Sequence, residues 1–356
     1  MKSNVFFLAV NDISDPSLIT KQLPEFIKQS AMKETIEKND FVAVKLHIGE
    51  KGNVTHISPQ LVFPFSQAIS EYGGKPFLTD TNVLYRSNRS DAIVHLKLVE
   101  EHGFNLQQCG APFIIADGLR GNNEIDVDIN GELLDKVSIA ADLVNANSMV
   151  VLTHITGHLA IGLGGTLKNL GMGCASRKGK LRQHSSVKPW ISKSDCTMCG
   201  ECIKWCPSDA IELKSDAAEI DQKICIGCGE CLTICRFGAV QYNWQTSSTD
   251  LQKKIAEHAL GVVAPKKNKI FYFNFLINIT KNCDCINTKQ KPVTNDIGIL
   301  ASDDPVALDK AALDLVQEHS GKSFRELCFP GIDETIQLTH AQNIGLGTMD
   351  YELISI

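Results

Sequence analysis

Short β-branched or aromatic runs alternate with longer amphipathic stretches from residue 1 to about residue 186. The short runs have the length of strands, and the stretches between them are long enough for helices that cross from one parallel strand to the next. This pattern predicts an α/β fold built on a mostly parallel sheet. The candidate strands are residues 5–10, 41–46, 76–78, 113–116 and 149–153.

Local signals place a helix and a hairpin within this pattern. A helix can begin at Ser58, with Pro59 in its first turn, and stop at Gly73-Gly74, because proline favours the first helical turn and glycine favours the position after the last. Residues 126–129 alternate polar and apolar before Asn130-Gly131, a dipeptide typical of hairpin turns. We therefore expect an antiparallel ribbon to interrupt the α/β alternation there.

The pattern breaks between residues 187 and 245, where eight cysteines occur in two similar halves and helical periodicity is lost. Strand-like runs return at residues 270–279 and 296–300, and Asp304-Pro305 can begin another helix. We expect one discontinuous α/β domain with a small α+β module inserted in it. Its parts are residues 1–186 (first part of the α/β domain), 187–245 (the inserted module) and 246–356 (the completing part).

Composition narrows the classes of function. The 356 residues are 43% hydrophobic, which is enough to bury a core, and the formal charge is −6 with a pI near 5.9. That charge gives no reason to expect nucleic acid as a partner. No stretch approaches the roughly 18 to 20 apolar residues of a membrane span, and the first apolar run is too short for a signal peptide. We expect a cytoplasmic protein with no membrane partner.

The cysteines favour metal ligation, since a disulfide scaffold is typical of short secreted chains. Eight of the thirteen form two runs with spacings of two, two and three residues, and Pro207 follows the first run whereas Arg236 follows the second. In such a run the first three thiolates wrap around one [4Fe-4S] cluster and the fourth points at the other cluster. The predicted ligands are Cys196, Cys199, Cys202 and Cys235 for cluster one, and Cys225, Cys228, Cys231 and Cys206 for cluster two.

Two other roles for these cysteines are open. Paired C-x2-C elements also form structural zinc sites, and clusters can serve only as staples in a segment with little core of its own. The spacing of the two runs resembles that of bacterial two-cluster ferredoxins. This resemblance implies two [4Fe-4S] clusters and the transfer of single electrons.

A second candidate site follows the strand at residues 149–153. Five glycines occur within twelve residues there, and glycine lets a ligand lie against the backbone. The ends of parallel strands are also where α/β proteins usually bind ligands. A mobile loop with solvated side chains is the alternative. The candidates for ligand binding are Gly162, Gly164, Gly165 and Gly171, and the candidate reactive side chains are His158, Lys168 and His184.

The cysteines outside the module are harder to interpret. Cys283 and Cys285 are separated by one residue and follow a strand-like segment, so one turn could offer two soft ligands to a metal. Cys174 could be a third. Inert buried thiols are the alternative for these three, and we expect Cys109 and Cys328 to be core residues.

Three segments carry a resemblance that spans most of the chain. They are the glycine-rich stretch GGTLKNLGMG at residues 164–173, the C-D-C at residues 283–285 and the D-P-V-A at residues 304–307. They resemble an uncharacterised family of iron-sulfur centre proteins, the domain of unknown function numbered 362. The resemblance implies an iron-sulfur protein but little of its chemistry.

Three polar residues around the glycines carry a second resemblance. Lys168 lies ten positions after His158, and His184 lies sixteen positions after Lys168. This spacing is similar to that of the nickel-pincer lactate racemases. The resemblance implies that His158 is a proton-transfer base, that Lys168 anchors a pincer cofactor and that His184 ligates nickel. The family's second base, a histidine before an arginine, falls on Tyr85-Arg86, and we place Arg86 among the cofactor-binding residues.

Three functions are compatible with these features. The first is an oxidoreductase whose clusters deliver electrons to a substrate or metal held near Lys168, with a redox partner protein or a small molecule as its partner. The second is an electron carrier whose α/β domain only docks a partner. The third is a racemase-like isomerase with structural clusters. The length of chain outside the module favours the first.

Overall fold

A single large sheet organises the protein. The computed structural model describes residues 2–10, 16–85, 87–184, 188–225, 227–242 and 246–356. Within these residues the main sheet has eight strands, which we number in chain order. They are β1 (Ser3–Ala9), β2 (Phe41–Lys45), β3 (Lys75–Asp80), β4 (Phe113–Ile115), β5 (Ser148–His154), β6 (Ile270–Leu276), β7 (Gly298–Ser302) and β8 (Tyr351–Ser355).

The strands lie in the order β8-β1-β7-β6-β5-β2-β3-β4 across the sheet. All neighbouring pairs are parallel except the two that β7 makes with β1 and β6. This arrangement confirms the predicted mostly parallel α/β fold. The sequence pattern also predicts seven of the eight strands. It misses β8, because this edge strand is not buried at any position and lacks a clear apolar face.

Strand β6 is buried on both faces of the sheet. All seven of its residues are buried, and they alternate between two cores. Phe271, Phe273 and Phe275 belong to one core, whereas Ile270 and Tyr272 belong to the other. A strand that is apolar on both faces is stable only when helices cover both sides of the sheet.

Helices provide that cover. Helices α1 to α3 pack on the face with the phenylalanines, and α6, α10, α11 and α13 pack on the opposite face. The α-helices of the described residues are α1 (Pro16–Gln29), α2 (Pro59–Glu71), α3 (Ala92–Glu101), α4 (Leu106–Cys109), α5 (Ala141–Asn145), α6 (Thr166–Gly171), α7 (Arg177–His184), α8 (Glu201–Lys204), α9 (Glu230–Ile234), α10 (Ser248–Val263), α11 (Pro305–Ser320), α12 (Phe324–Leu327) and α13 (Thr335–Asn343). None of them combines the length and apolar character needed to cross a membrane.

Antiparallel pairs interrupt the α/β alternation. The expected ribbon is present as Glu124–Asp128 paired with Lys136–Ala140. Its turn is longer than the Asn130-Gly131 dipeptide alone, since the N–H groups of residues 129 and 130 both donate to the carbonyl of Asp135. A second pair, Thr156–His158 with Gly162–Gly164, directly follows β5.

The cysteine-rich segment has short elements of its own. It contains two small antiparallel pairs, Trp190–Ile191 with Val240–Gln241 and Ile211–Leu213 with Ala218–Ile220. The chain then returns to the main sheet, because β6, β7 and β8 lie beside β5 and β1. The domain limits at residues 187 and 245 stay a prediction, and both fall outside the described residues.

Asp304 connects the start of α11 to both ends of the chain. Its Oδ1 accepts hydrogen bonds from the N–H groups of Val306 (2.9 Å) and Ala307 (3.0 Å). Its Oδ2 accepts from the hydroxyl of Ser3 and the N–H of Thr348, both at 2.9 Å. The predicted cap at Asp304-Pro305 is therefore confirmed, and it also joins two distant segments.

We expect Asp304→Ala to lower the free energy of unfolding by about 2–4 kcal/mol, because it removes a helix cap and leaves two further donors without their acceptor. Urea denaturation followed by circular dichroism measures this. The matched control is Asp91→Ala, which removes the cap of α3 formed with Ile93 and Val94 and should cost about 1 kcal/mol. Equal losses for the two variants would contradict the connecting role.

Candidate functional site

Charged and polar side chains collect at the carboxyl ends of neighbouring parallel strands. Strand β2 ends at Lys45, β3 at Asp80 and β5 at His154, and the segment after β6 brings Asp284 to His154. We call these four residues, together with His158, Lys168 and His184, the strand-end site. Its location agrees with the general position of ligand sites in open α/β sheets.

Asp80 is the centre of a buried group of basic side chains. Lys45 Nζ lies 3.0 Å from Asp80 Oδ1, and both side chains are almost fully buried. The guanidinium of Arg89 and the imidazole of His95 each lie 4.0 Å from Oδ2. Burial alone would raise the pKa of Asp80, but Lys45 and His47 hold it well below its usual range. Asp80 is therefore a permanent anion that neutralises the cations around it.

Lys45 also connects this ion pair to the next element of the site. Its Nζ donates to Asn169 Oδ1 at 2.8 Å. The amide nitrogen of Asn169 donates in turn to the Leu152 carbonyl at 3.1 Å and to the Thr153 hydroxyl at 3.0 Å. Helix α6, which carries Asn169 and Lys168, is thereby fixed to the ends of β2 and β5.

His154 and Asp284 form a second buried ion pair. His154 Nδ1 lies 2.7 Å from Asp284 Oδ2, and its Nε2 lies 2.8 Å from the Ile277 carbonyl. Both ring nitrogens thus face acceptors. Burial lowers the pKa of His154, but Asp284 and the carbonyl outweigh it and raise the pKa above its ordinary value. The shift favours the protonated imidazole, which donates from both ring nitrogens.

The three predicted reactive side chains share one electrostatic environment. Burial, and then the charge of Lys168, lower the pKa of His158 well below its ordinary value. The same two causes, in the same order, lower the pKa of His184 to about 4. Burial and the nearby Arg89 lower the pKa of Lys168 to about 8. The site therefore combines two neutral imidazoles with an amine that can gain or lose a proton near neutral pH.

Asp309 positions Lys168, and sequence reasoning missed it. This buried carboxylate of α11 accepts hydrogen bonds from the N–H groups of Thr166 (2.8 Å) and Leu167 (2.9 Å) at the start of α6. Asn274 donates to it as well, at 2.9 Å. Burial raises the pKa of Asp309 to about 6 even though these bonds oppose the rise. The available signal was an acidic residue on the apolar face of an otherwise well-predicted helix.

The four predicted ligand-binding glycines lie close to other protein atoms. A methyl group on Gly162 would meet Glu334 Cβ at 2.7 Å, and one on Gly165 would meet the Asp309 carboxylate at 2.6 Å. At Gly164 the neighbour is the Thr156 hydroxyl at 2.7 Å, and at Gly171 it is the Ile255 carbonyl at 2.0 Å. Protein atoms fill the space that each missing side chain leaves. These glycines permit close packing, and their role as cofactor contacts stays a prediction.

Three other predicted site residues are Cys283, Cys285 and Arg86. Cys283 and Cys285, expected as metal ligands, are joined by a disulfide; in this form neither offers a thiolate to a metal. Arg86 lies outside the described residues. Its neighbour Tyr85 accepts a hydrogen bond from Arg89 at 2.8 Å.

The remaining thiols lie in the interior. Cys109 and Cys328 are buried, in agreement with their expected place in the core. Cys174 is buried as well, and burial raises the pKa of its thiol to about 11. Its role as a third metal ligand stays a prediction.

The cysteine-rich segment surrounds two small, partly open cavities. Each cavity is lined by the first three cysteines of one run and by the last cysteine of the other run. The cysteines are Cys196, Cys199, Cys202 and Cys235 at the first cavity, and Cys225, Cys228, Cys231 and Cys206 at the second. The chain therefore brings together the same two sets of four that the spacing predicts.

Backbone groups point at several of these sulfurs. The N–H of Ala210 donates to Cys206 at 3.2 Å, and that of Ala218 donates to Cys196 at 3.4 Å. Such bonds stabilise thiolates. Burial and the three neighbouring sulfurs raise the pKa of Cys202 to about 11, so a thiolate there needs a positively charged partner inside the cavity. The donor set fits an iron-sulfur cluster in this respect.

The sulfurs do not converge on one point. Across the described ranges, no three His, Cys, Asp or Glu side chains are placed to hold a single metal ion. Each set of four is instead spread around a cavity. A structural zinc site would require four ligands in a closed tetrahedron.

Helix α7 contacts both sites. Leu181 belongs to the small apolar core of the cysteine-rich segment, and its side chain fills the space beside Gly229. Lys180, one residue earlier, donates to the hydroxyl of Thr81 at 2.6 Å, directly after Asp80. His184 ends the same helix. One short helix thus spans from the cysteine cavities to the strand-end site.

The protein is of the α/β class, with a mostly parallel sheet and an additional cysteine-rich segment. A family model described as "Domain of unknown function (DUF362)" matches residues 42–314, which is more than half of the chain. The chain therefore belongs to this family.

One solved structure similar to this chain is that of the lactate racemase apoprotein from Thermoanaerobacterium thermosaccharolyticum, at 13% identity and a TM-score of 0.43. The match covers 83% of this chain and 55% of that one, so this chain spans little more than half of its length. No curated protein matches the chain.

The packing role of the glycines is testable at Gly171. We expect Gly171→Ala to lower the free energy of unfolding by about 1–3 kcal/mol, because the added methyl group must displace the backbone of α10. The control is Gly331→Ala, since Gly331 has open space around it and the change should stay within about 0.5 kcal/mol. Urea denaturation of both variants is the measurement. Unchanged stability of Gly171→Ala would contradict the packing role of Gly171.

Proposed function

We propose that this chain is an iron-sulfur protein that holds two [4Fe-4S] clusters and passes their electrons to a substrate or metal at the strand-end site. The exchange of Cys206 and Cys235 between the two cavities is the observation that carries the proposal. In two-cluster ferredoxins the fourth cysteine of each run ligates the other cluster. The two cavities are lined by cysteines in this combination.

The small core of the segment is a second support. Its buried apolar residues are few, and cysteines from both runs pack among them. A segment of this size gains little stability from its own core and depends on a bound metal group or on a neighbour. The neighbour here is the α/β part of the chain. Its residues Leu84 and Leu181 lie outside the cysteine-rich segment but pack in the segment's core.

The strand-end site is the proposed place where the electrons are accepted. When bound, the clusters would supply single electrons. Helix α7 carries Leu181, which packs in the core of the cysteine-rich segment, and also Lys180 and His184. Lys168 can attract an anionic group while protonated and can release a proton near neutral pH. The neutral imidazoles of His158 and His184 can accept a proton or ligate a metal. A pure electron carrier would not require this arrangement.

The cysteine-rich segment leaves large apolar side chains exposed. Five of them are between 40% and 49% exposed, although such residues are commonly buried. They are Trp190, Met198, Trp205, Leu213 and Ile224. We propose that the electron donor is a protein that covers them, because aromatic and methionine side chains are enriched at interfaces.

We expect anaerobic reconstitution to give roughly eight irons and eight inorganic sulfides per chain, with the visible absorption of [4Fe-4S] clusters. Cys235→Ala and Cys206→Ala should each lose about half of the iron, because each removes one ligand from a different cavity. Cys285→Ala, a cysteine outside both cavities, is the control and should retain all of it. Zinc in place of iron, or less than about half the expected iron in the unmodified chain, would refute the proposal.

A second candidate is a racemase-like isomerase that uses a nickel-pincer cofactor. The observation in its favour is that Lys168 lowers the pKa of both His158 and His184. Among the described residues, Lys168 Nζ makes no hydrogen bond or ion pair, which leaves the amine able to react. A neutral imidazole such as His184 is the form that binds a metal. In this candidate Lys168 would anchor the cofactor and His184 would hold its nickel.

Intact-protein mass spectrometry separates the two candidates. If the pincer candidate is correct, protein expressed with its neighbouring genes should carry a covalent adduct that maps to Lys168, and Lys168→Arg should abolish it. The conservative replacement keeps the positive charge, so the fold should persist. An unmodified lysine in protein that also lacks nickel would rule this candidate out.

A further inference from the structure

We propose that Cys283 and Cys285 form a dithiol-disulfide centre that accepts two electrons beside the strand-end site. This inference rests on the proposed function, because the clusters are the source of those electrons. The two sulfurs are joined in a disulfide. Cys283 is buried, whereas Cys285 is partly exposed, so one side of the bond is shielded and the other is accessible to water.

Asp284, the residue between the two cysteines, is held in place on three sides. Its carbonyl accepts a hydrogen bond from the N–H of Glu50 at 2.8 Å. Its carboxylate accepts from the Thr55 hydroxyl at 2.9 Å and pairs with His154 at 2.7 Å. A turn fixed at its middle residue keeps both flanking sulfurs close together whether or not they are bonded. Reduction therefore requires little rearrangement of the loop.

The same loop belongs to the electrostatic environment of the strand-end site. Asp284 contributes to the protonation of His47, of His56 and of Lys168. Lys168 in turn acts on His184, at the end of α7. The Cys283–Cys285 loop and the end of α7 therefore both act electrostatically with Lys168.

The stoichiometry of the reaction matches the two clusters. The S–S bond breaks when it takes up two electrons and two protons, and the products are two thiols. Each of the two clusters carries one electron, and the pair together supplies the two that the disulfide requires. The protons come from water at the exposed edge of Cys285. In the reduced form Cys283 and Cys285 are free thiols, which are again able to serve as ligands to a metal.

Anaerobic coulometric titration with dithionite and a viologen mediator tests this inference on the cluster-loaded protein. The unmodified chain should take up roughly four electrons, two in the clusters and two in the disulfide. The double variant Cys283→Ser/Cys285→Ser should take up roughly two, with unchanged cluster absorption. The variant lacks only the disulfide, so the difference counts its electrons.

Thiol labelling of the unmodified chain gives an independent readout. Alkylation with N-ethylmaleimide in denaturant, followed by peptide mass spectrometry, should modify Cys283 and Cys285 only after reduction. Cys109 and Cys328 are buried thiols that should be modified in both samples, and they serve as the internal control.

Two results would overturn the inference in distinguishable ways. An uptake of roughly two electrons by the unmodified chain, with the cysteines still linked, would remove this inference and leave the proposed function intact. A preparation without cluster absorption would remove the proposed function and this inference together.

Discussion

The two cysteine runs can complete their sets of four only by folding against each other. Cys206 lies with the sulfurs of the second run and Cys235 with those of the first, so neither half of the segment forms a complete site alone. The segment's few apolar residues would not hold the halves together by themselves. Its core also includes Leu84 and Leu181, which makes the segment dependent on the α/β part of the chain. The crossing of the last cysteines thus holds the two halves of the segment together. Leu84 and Leu181 join the segment to the α/β part of the chain.

Buried charges are the second constraint. The Lys45–Asp80, Arg89–Glu50 and His154–Asp284 pairs are almost completely buried, and removing such groups from water costs several kcal/mol per ion. Apolar residues of similar size would give an equally stable sheet. The concentration of these pairs at the carboxyl ends of β2, β3 and β5 is therefore better explained by the chemistry of the site than by stability. They hold a fixed pattern of charge around Lys168, whose own protonation is adjustable.

The sequence predicts much of this structure where local physics decides. The strands follow from β-branched and aromatic runs, and the two sets of cysteines follow from a spacing that allows only three sulfurs of a run to reach one cavity. The packing contacts of the glycines could not be predicted, because a missing side chain signals close approach without telling whether a ligand or protein approaches. Gly171 contacts a helix more than eighty residues away in sequence, and no local pattern reports such a neighbour. Asp309 was missed for the same reason, since its role depends on three donors from other elements.

An anaerobic crystal structure of the cluster-loaded protein tests the exchange of cysteines most directly. We predict that Cys235 Sγ is bonded to iron of the cluster held by Cys196, Cys199 and Cys202, and that Cys206 Sγ is bonded to the other cluster. Each run holding its own metal with its own four cysteines, or single zinc ions in place of the clusters, would contradict this account.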